Sequence, residues 1–509
     1  ALIMCDDMGY SDISCYGGEI STPNLDRLAK NGLRFNQFYN AARCCPTRAS
    51  LLTGLYPHEC GVGRMVYHND GPGYLGYLND KCMTIAEVLK QTGYHTMMVG
   101  KWHVGHSKGQ WPTDRGFDRF YGIHKHVDSY FTVLKGCTVY LDDKEVIPVT
   151  KEPPNVLRPD KEWYTTDVFT DYALKFLEQA APGKQPFFLY LAYNAPHWPI
   201  EAPEENIAKF RGKYLKGWDK LREEKLERMK QLGIVKKDTE LSPSENPKWD
   251  SLSKSDKREL DFRRAIYAAQ IDRMDENIGR LLRRLRELGI IDNTLILFLS
   301  DNGCSAEKGM FGFNYGRYNI ANYPQWRKLG GGSVSQGRAW ANASNTPFRL
   351  YKKWIHEGGI ATPLIAHWPR VIKSKGKLTH QVSHVIDIMV TCCEVAKAVY
   401  PKTFKGRSIR ALRGKSLLPI LQGKQRQGHE AIYWEHERHA GVRQGRWKLV
   451  SKDAEQHWEL YDMENDRTEI RDLASAFPQR LEQMKAMWTA WARQINVLPW
   501  PKDRRQEKK

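Results

Sequence analysis

The sequence predicts an α/β fold in which a mixed, mainly parallel sheet is flanked by helices and followed by a smaller C-terminal α+β domain. Three observations predict this architecture. Short, continuously apolar runs are typical of strands that are buried on both faces, as in parallel sheets. Amphipathic segments lie between those runs, and the pattern changes to alternating aromatic and charged residues after about residue 405. A chain of 509 residues is long enough to form both units.

Four apolar runs predict the buried strands of the main sheet. They read ALIMC from residue 1, HTMMVG from residue 95, PFFLYLAY from residue 186 and TLILFLS from residue 294. Amphipathic patterns over residues 24–32, 84–93 and 271–289 predict helices between these strands. The highly charged segment 201–265 predicts helical or irregular excursions over the same sheet.

We place a domain boundary after residue 405, which divides the chain into residues 1–405 and 406–509. In the second part, residues 429–450 and 457–473 alternate aromatic and charged side chains, as short antiparallel strands do. The amphipathic pattern of residues 478–495 predicts a terminal helix. The smaller domain is therefore expected to be an antiparallel sheet with one helix.

The composition is that of an ordinary globular protein, with 41% hydrophobic and 27% charged residues. No apolar run approaches the roughly 20 residues of a membrane-spanning helix, so we expect no span. The 78 Lys and Arg exceed the 59 Asp and Glu, which gives a formal net charge of +19. Such a surplus suits an anionic partner (a polysaccharide, a nucleic acid or a membrane surface), or it serves only to keep the surface soluble.

The cysteines and the first residues give little information about the compartment. The ten cysteines show no repeated metal-ligand spacing. Because the chain opens directly on a strand-like run, we expect the natural chain to begin upstream, where any export signal would lie.

Polar residues follow each of the four predicted strands. Ligands of open α/β sheets bind where the carboxyl ends of the strands emerge, so these residues are expected to meet at one place. They are Asp6 and Asp7 after the first run, Lys101 and His103 after the second, Asn194 and His197 after the third, and Asp301 and Asn302 after the fourth.

The acidic members of this set predict a metal site. Asp6, Asp7, Asp301 and Asn302 carry hard oxygen ligands, which favour Ca²⁺ or Mg²⁺ over zinc. Taken alone, the pair Asp6 and Asp7 is more typical of a turn or a helix cap, and residues 300–303 are typical of an ordinary turn. Around the predicted cation lie the basic residues Arg48, Lys101 and Lys352 and the histidines His103 and His197. Their charge favours a tetrahedral oxyanion, most strongly one that gains charge in its transition state.

Residues 43–54, RCCPTRASLLTG, carry the most specific motif of the chain. Adjacent cysteines are poor disulfide partners, because bridging them strains the intervening peptide. The pattern Cys44-x-Pro46-x-Arg48-x-x-x-x-Thr53-Gly54 resembles the signature of the type I, formylglycine-dependent sulfatases of the alkaline phosphatase-like superfamily. Later motifs of that family follow in its order, at residues 5–18, 100–105, 195–199, 300–303 and 347–359.

The resemblance implies an alkaline phosphatase-like catalytic domain over residues 1–405 that hydrolyses sulfate monoesters. It implies that a formylglycine-generating enzyme converts Cys44 to formylglycine. In the hydrated aldehyde, one hydroxyl attacks sulfur and the other loses its proton so that sulfate leaves. The residues to which it gives roles are Asp6, Asp7, Asp301 and Asn302 as ligands of one Ca²⁺, Arg48 beside the modified residue, Lys101 and Lys352 on sulfate oxygens, His103 beside the nucleophile and His197 beside the leaving oxygen. Cys45 is the variable position of the motif and receives no role.

One segment departs from the family pattern. Members often carry a small hydroxyl residue shortly after the stretch that matches residues 116–122, and here His126 falls at that position. We expect His124, His126 and Asp128 to line the leaving-group pocket, although they could equally be ordinary loop residues.

For the substrate, the basic charge and the 16 Trp and 24 Tyr suit a sulfated carbohydrate, because aromatic faces stack on sugar rings. The family resemblance favours a glycan-degrading exo-sulfatase, which implies a periplasmic, secreted or lysosome-like location and no nucleic-acid partner. His436 and Arg438 could contact the sugar, or their segment could be a solvated strand. The alternatives are an aryl-sulfate specialist, a phosphate or phosphonate ester hydrolase, and an inactive polyanion-binding protein.

Overall fold

A computed structural model describes residues 1–67, 69–183, 185–315, 320–323 and 334–500. Within them, one large sheet carries strands β1 to β11 in the order β10-β2-β9-β8-β1-β7-β3-β4-β5-β6, with β11 also paired to β2. The strands are β1 Leu2–Cys5, β2 Leu33–Tyr39, β3 His95–Lys101, β4 Arg119–Ile123, β5 Val139–Leu141, β6 Lys144–Ile147, β7 Phe187–Ala192, β8 Ile296–Ser300, β9 Ala361–His367, β10 Lys377–Thr379 and β11 Ser383–His384. The central pairs are parallel, and β9 and the β4-β5-β6 edge are antiparallel. The predicted mixed, mainly parallel sheet is confirmed.

Helices cover both faces of this sheet. Alternate residues of β1 show the arrangement, since Ile3 joins the core under α1, α4 and α7, whereas Met4 joins the core under α2, α3 and α10. The helices are α1 Pro23–Lys30, α2 Cys44–Thr53, α3 Ile85–Lys90, α4 Thr165–Ala180, α5 Glu204–Ala208, α6 Gly217–Gln231, α7 Lys254–Glu287, α8 Arg338–Ser344, α9 Glu357–Ile360, α10 Ile386–Ala396, α11 Leu418–Leu421 and α12 Pro478–Gln494. Among the described residues, no helix combines the length and the apolar character that crossing a bilayer requires.

Helix α7 is much longer than the amphipathic pattern predicted. It begins at Lys254 instead of residue 271 and runs for 34 residues. Its first half buries charged residues beside apolar ones such as Leu260 and Phe262, and ion pairs stabilise those charges. Arg263 pairs with Glu259 at 2.9 Å, and Arg264 pairs with Asp12 at 2.8 Å. Periodicity of apolar residues could not reveal a helix that is buried in this way.

The C-terminal part forms the predicted antiparallel sheet and helix. Strands β14 Ile432–His436, β15 His439–Gln444, β16 Trp447–Ser451 and β17 Trp458–Asp462 form a meander, and α12 packs on it through Trp488 and Trp491. The interpretation of the segment around His436 as a solvated strand is wrong, since Trp434, His436 and His439 are all buried. A small hairpin, β12 Thr403–Phe404 and β13 Arg407–Ser408, spans the boundary placed after residue 405, and the division into two domains stays a prediction.

Candidate active site

Four neighbouring parallel strands bring the candidate residues to one edge of the sheet. β8, β1, β7 and β3 are adjacent in that order, and all four run in the same direction. Their carboxyl ends therefore lie side by side, as open α/β sheets require of a ligand site. Asp6, Lys101, Asp301 and Asn302 have no exposed surface, and Asp7 is 1% exposed.

The loops after β1 and β8 are joined directly. The backbone N–H of Asp7 donates to Asp301 Oδ1 at 3.2 Å, and Asn302 Nδ2 donates to Asp7 Oδ1 at 2.6 Å. Asp7 adopts a left-handed backbone conformation with φ of 65°, which costs an L-residue of order 1–3 kcal/mol and is typical of functional sites. The turn aims the carboxylate into the site.

Two buried oxygens in this group have no hydrogen-bond partner among the described residues. They are Asp6 Oδ1 and Asn302 Oδ1. Burial, together with the neighbouring Asp6 charge, raises the pKa of Asp7 to about 7 and that of Asp301 well above its ordinary value. Oxygens without a hydrogen-bond partner can bind a divalent cation, and these two oxygens fit that role. The cation would also stabilise the negative charges of Asp7 and Asp301, which burial makes costly.

Cys44 is the first residue of helix α2, and it is buried beside this group. Arg48 lies one turn further along the same helix face. Its guanidinium donates to Asp301 Oδ2 at 2.9 Å, to Asp6 Oδ2 at 3.3 Å and to the Lys101 carbonyl at 3.0 Å. The neighbouring Cys45 thiol and the Lys101 ammonium lower the pKa of the Cys44 thiol well below its ordinary value. Arg48 thus connects the helix that begins at Cys44 to two of the acidic strand ends.

Two lysines reach the acidic group from different loops. Lys101 Nζ contacts the Asp6 carboxylate, and Lys352 Nζ lies 2.7 Å from Asp7 Oδ1. The backbone places Lys352 there, because its N–H donates to the Cys304 carbonyl at 3.1 Å. The next residue, Lys353, points elsewhere and pairs with Glu437 at 2.6 Å. The structure therefore brings Lys352, and not Lys353, to the acidic strand ends.

Both histidines of the predicted site are buried at the same edge. His103 follows β3 in a left-handed turn with φ of 58°. His197 contacts the carbonyl of Trp198 through Nδ1, which leaves Nε2 3.5 Å from Asp7 Oδ2. Burial, with the Lys101 charge acting in the same direction, lowers the pKa of His103 to about 3, and burial lowers that of His197 to about 3. Burial thus favours the neutral form of both rings.

His126, in the loop after β4, lies at the edge of the group formed by the two buried histidines. Its ring lies 6.1 Å from that of His103 and 6.3 Å from that of His197, and its Nε2 pairs with Asp128 at 2.8 Å. His124 is placed differently. Its ring stacks on those of Trp111 and Tyr140, at 4.7 Å and 4.1 Å. His126 and Asp128 thus lie near the two buried histidines, whereas His124 belongs to an aromatic stack, and the pocket-lining role of all three stays a prediction.

The two C-terminal candidates occupy different environments. His436 is fully buried, with Nε2 3.9 Å from Glu437. Arg438 is partly exposed and lies over the Trp500 ring, 5.6 Å from its centroid. A direct sugar contact by either residue stays a prediction.

Comparisons with known proteins identify this arrangement. A family model described as Sulfatase matches residues 1–398. The chain belongs to the sulfatase family. A second family model, described as N-sulphoglucosamine sulphohydrolase, C-terminal, matches residues 348–494. This sulfatase is accordingly a sulfuric ester hydrolase with the alkaline phosphatase-like fold that its motifs implied.

Individual relatives agree with the family assignment. The sulfatase is 32% identical over 536 residues to an uncharacterized sulfatase of Schizosaccharomyces pombe, covering 99% of this chain and 94% of that protein. It is 34% identical over 439 residues to an arylsulfatase of Klebsiella aerogenes, covering 84% and 92%. Among solved structures, Ps i-CgsB in complex with k-i-k-neocarrahexaose shares the fold, with a TM-score of 0.69, 24% identity and coverage of 99% and 95%.

Sequence reasoning about this sulfatase missed one acidic residue of the site. Glu307 pairs with Arg43 at 3.2 Å and accepts from Trp198 Nε1 at 2.7 Å. Burial would raise its pKa, but the charges of Lys352 and Arg43 lower it to about 2. Glu307 lies in a loop beyond Asn302, where no strand or helix period marks it. Only the folded structure shows that Glu307 lies near the charges of Arg43 and Lys352.

Proposed function

We propose that this sulfatase hydrolyses sulfate esters of carbohydrates through a formylglycine derived from Cys44 and one calcium ion. The observation that carries the proposal is the position of Cys44. The residue begins helix α2 beside Lys101 and is connected by Arg48 to Asp6 and Asp301. A helix N-terminus and the surrounding cations favour an anionic group at this position.

The two groups that complete the proposed site have defined tasks. A calcium ion held by Asp6, Asp7, Asp301 and Asn302 would supply positive charge against the sulfate oxygens. The hydrated aldehyde at position 44 would supply one hydroxyl to attack sulfur and a second whose deprotonation releases sulfate.

The cationic side chains bind and orient the sulfate in this proposal. Arg48 is immobilised by two carboxylates and a carbonyl, so it holds the position of residue 44 without reorganisation. Lys101 and Lys352 keep their protons, because the adjacent carboxylates raise the pKa of each ammonium against the effect of burial. Each lysine therefore carries a full positive charge that can bind a sulfate oxygen.

The histidines move protons. His103 is neutral and lies next to Cys44, so it can accept the proton of the attacking hydroxyl. His197 is fixed by its Nδ1 contact with Trp198, which directs Nε2 into the site. The negative charge of a bound sulfate ester would favour the protonated ring and allow Nε2 to protonate the leaving oxygen.

A sulfated carbohydrate is the substrate class that several features support. The C-terminal family model takes its name from a sulfohydrolase of a sulfated sugar, and the structural neighbour Ps i-CgsB was crystallised with a neocarrahexaose. The formal charge of +19 favours an anionic glycan. Exo action, maturation by a formylglycine-generating enzyme and a periplasmic, secreted or lysosome-like location belong to the same proposal. The arylsulfatase relative of Klebsiella aerogenes supports a second candidate substrate class, the aryl sulfates.

The test is a substrate screen with purified enzyme in which mass spectrometry has demonstrated formylglycine at position 44. Sulfate release is measured from defined sulfated mono- and disaccharides, from an aryl sulfate and from the matched phosphate esters. We expect the highest kcat/KM on a sulfated sugar. A preference for the aryl ester would favour the second substrate class, and phosphate release exceeding sulfate release would overturn the proposal.

A further inference from the structure

A second cluster of metal-ligating side chains lies beside the acidic group. Cys44, Cys45 and His103 each offer a ligand atom, and these three atoms all lie within 4.8 Å of one another. The side chains are buried, with relative exposures of 2%, 0% and 1%. No role has been assigned above to Cys45, which occupies the variable position of the motif.

We propose that the unmodified chain, in which Cys44 is still a thiol, binds a soft d¹⁰ cation such as Zn²⁺ or Cd²⁺ through Cys44, Cys45 and His103. Two thiolates and one imidazole are the ligand types that these ions prefer, whereas Ca²⁺ prefers oxygen. Tetrahedral zinc separates its ligand atoms by about 3.5–3.8 Å, so small side-chain adjustments bring the three atoms to that spacing.

The imidazole is available for such a bond. Neither His103 Nδ1 nor His103 Nε2 makes a hydrogen bond of good geometry among the described residues, although the ring is almost completely buried and interacts with the neighbouring Cys44 thiol. Buried polar groups without partners are rare in native proteins, and each one needs a ligand or another explanation. A bond from one of these nitrogens to a metal ion would satisfy it.

The charge of the surroundings favours a divalent cation between the two sulfurs. The carboxylates of Asp6, Asp7 and Asp301 are matched by the ammonium and guanidinium groups of Lys101, Lys352 and Arg48. When no calcium ion is bound to the acidic group, two thiolates would therefore add two uncompensated negative charges, which one divalent ion neutralises.

One partly exposed aromatic residue lies close to the cluster. Tyr67 is 50% exposed, its ring lies 6.4 Å from that of His103, and its hydroxyl lies 3.3 Å from His126 Nδ1. The cluster is thus buried behind a partly exposed aromatic residue. Conversion of Cys44 to an aldehyde removes one of the two sulfur ligands, so the soft-metal site would exist in the unprocessed chain and be lost on maturation.

The experiment uses the full-length chain produced without a formylglycine-generating enzyme, with the thiol at position 44 verified by mass spectrometry. Cd²⁺ is titrated into calcium-free protein while the ultraviolet thiolate-to-cadmium absorption is recorded, and Zn²⁺ is measured by competition with a chromophoric chelator. We expect one equivalent per chain. Cys45→Ser and His103→Ala should each weaken binding by more than about tenfold.

The vicinal pair Cys392 and Cys393 on α10 provides the matched control, since it has the same spacing and contributes to no such cluster among the described residues. Cys392→Ser should bind Cd²⁺ as the wild type does. Cys45→Ala is the second variant if Cys45→Ser melts early, because alanine introduces no buried hydroxyl. Unchanged Cd²⁺ affinity in both Cys45 variants, or no thiolate absorption in the wild type, would overturn this inference. Neither result would affect the proposed sulfate ester hydrolysis, which requires the oxidised residue.

Discussion

The guanidinium of Arg48 lies 2.9 Å from the carboxylate of Asp301, and neither side chain has any exposed surface. This ion pair joins helix α2, which begins at Cys44, to the loop that follows β8. Removing one partner of a buried pair leaves an uncompensated charge, which costs about 3–5 kcal/mol. The pair therefore fixes the distance between residue 44 and the proposed metal ligands.

We predict that Asp301→Ala loses both the metal ion and the sulfatase activity. The substitution removes a carboxylate ligand and leaves Arg48 with Asp6 as its remaining carboxylate partner. Metal content is measured by mass spectrometry after dialysis, and sulfate release is measured on the same sample. Asp275→Asn is the control, because Asp275 is a buried carboxylate that caps α1 through the N–H groups of Asn24 and Leu25. Retention of calcium by Asp301→Ala would contradict the ligand assignment.

Cys44→Ala is expected to reduce turnover by more than about 10³-fold while the protein stays folded. The thiol is small and buried at a helix start, so alanine fits the same position. Sulfate release and thermal unfolding are compared with those of Cys393→Ala, which changes a cysteine of the other vicinal pair. Normal turnover of Cys44→Ala would remove residue 44 from the reaction.

The main sheet could be predicted because its central strands are continuously apolar. The ends of β1, β3, β7 and β8 all lie within two residues of the ends of the predicted runs. β2 and β9 were missed, since β2 is the mixed sequence LRFNQFY, in which Asn36 is buried as part of the strand. The start of α7 was missed because charged residues that form buried ion pairs interrupt its apolar pattern.

The site was predictable where its residues follow a strand or stand in a motif. Lys352 illustrates the second case, since the motif at residues 347–359 gave it a role and the structure places it against Asp7. Glu307 is a residue that neither a strand end nor a motif could predict. Its neighbours Arg43 and Trp198 are distant in sequence, so no local pattern relates them.

The neighbouring lysines allow a matched test of charge position. Lys352→Ala should lower kcat by about 10²–10³-fold, the usual effect of losing one preorganised contact to a transition-state oxygen. Lys353→Ala should change kcat by less than about fivefold, because its side chain is 41% exposed and its ammonium pairs with Glu437. Steady-state kinetics on one sulfate ester measure both. A larger loss in Lys353→Ala would reverse the assignment of the two residues.

Asp387 is predicted to stabilise the attachment of residues 415–429 to helix α10. Its buried carboxylate accepts from Arg426 at 2.8 Å, from His429 Nε2 at 2.7 Å and from the N–H of Lys415 at 2.8 Å. Burial would raise its pKa, but the bond and charge of His429, followed by the charge of Arg426, lower it from 3.8 to about 2. The lower pKa in the folded state corresponds to about 2 kcal/mol of stability.

The pH dependence has a definite sign. A carboxyl group with a depressed folded-state pKa contributes its full stability above pH 4, and the contribution is lost as the pH falls toward 2. Asp387→Asn should therefore reduce the free energy of unfolding at pH 7 by about 2–4 kcal/mol, and by less at pH 3. Urea unfolding at both pH values measures the difference. Asp453→Asn is the control, because Asp453 pairs with His457 on the surface and should contribute little. An equal effect of the two substitutions at pH 7 would show that burial does not determine the strength of the Asp387 contacts.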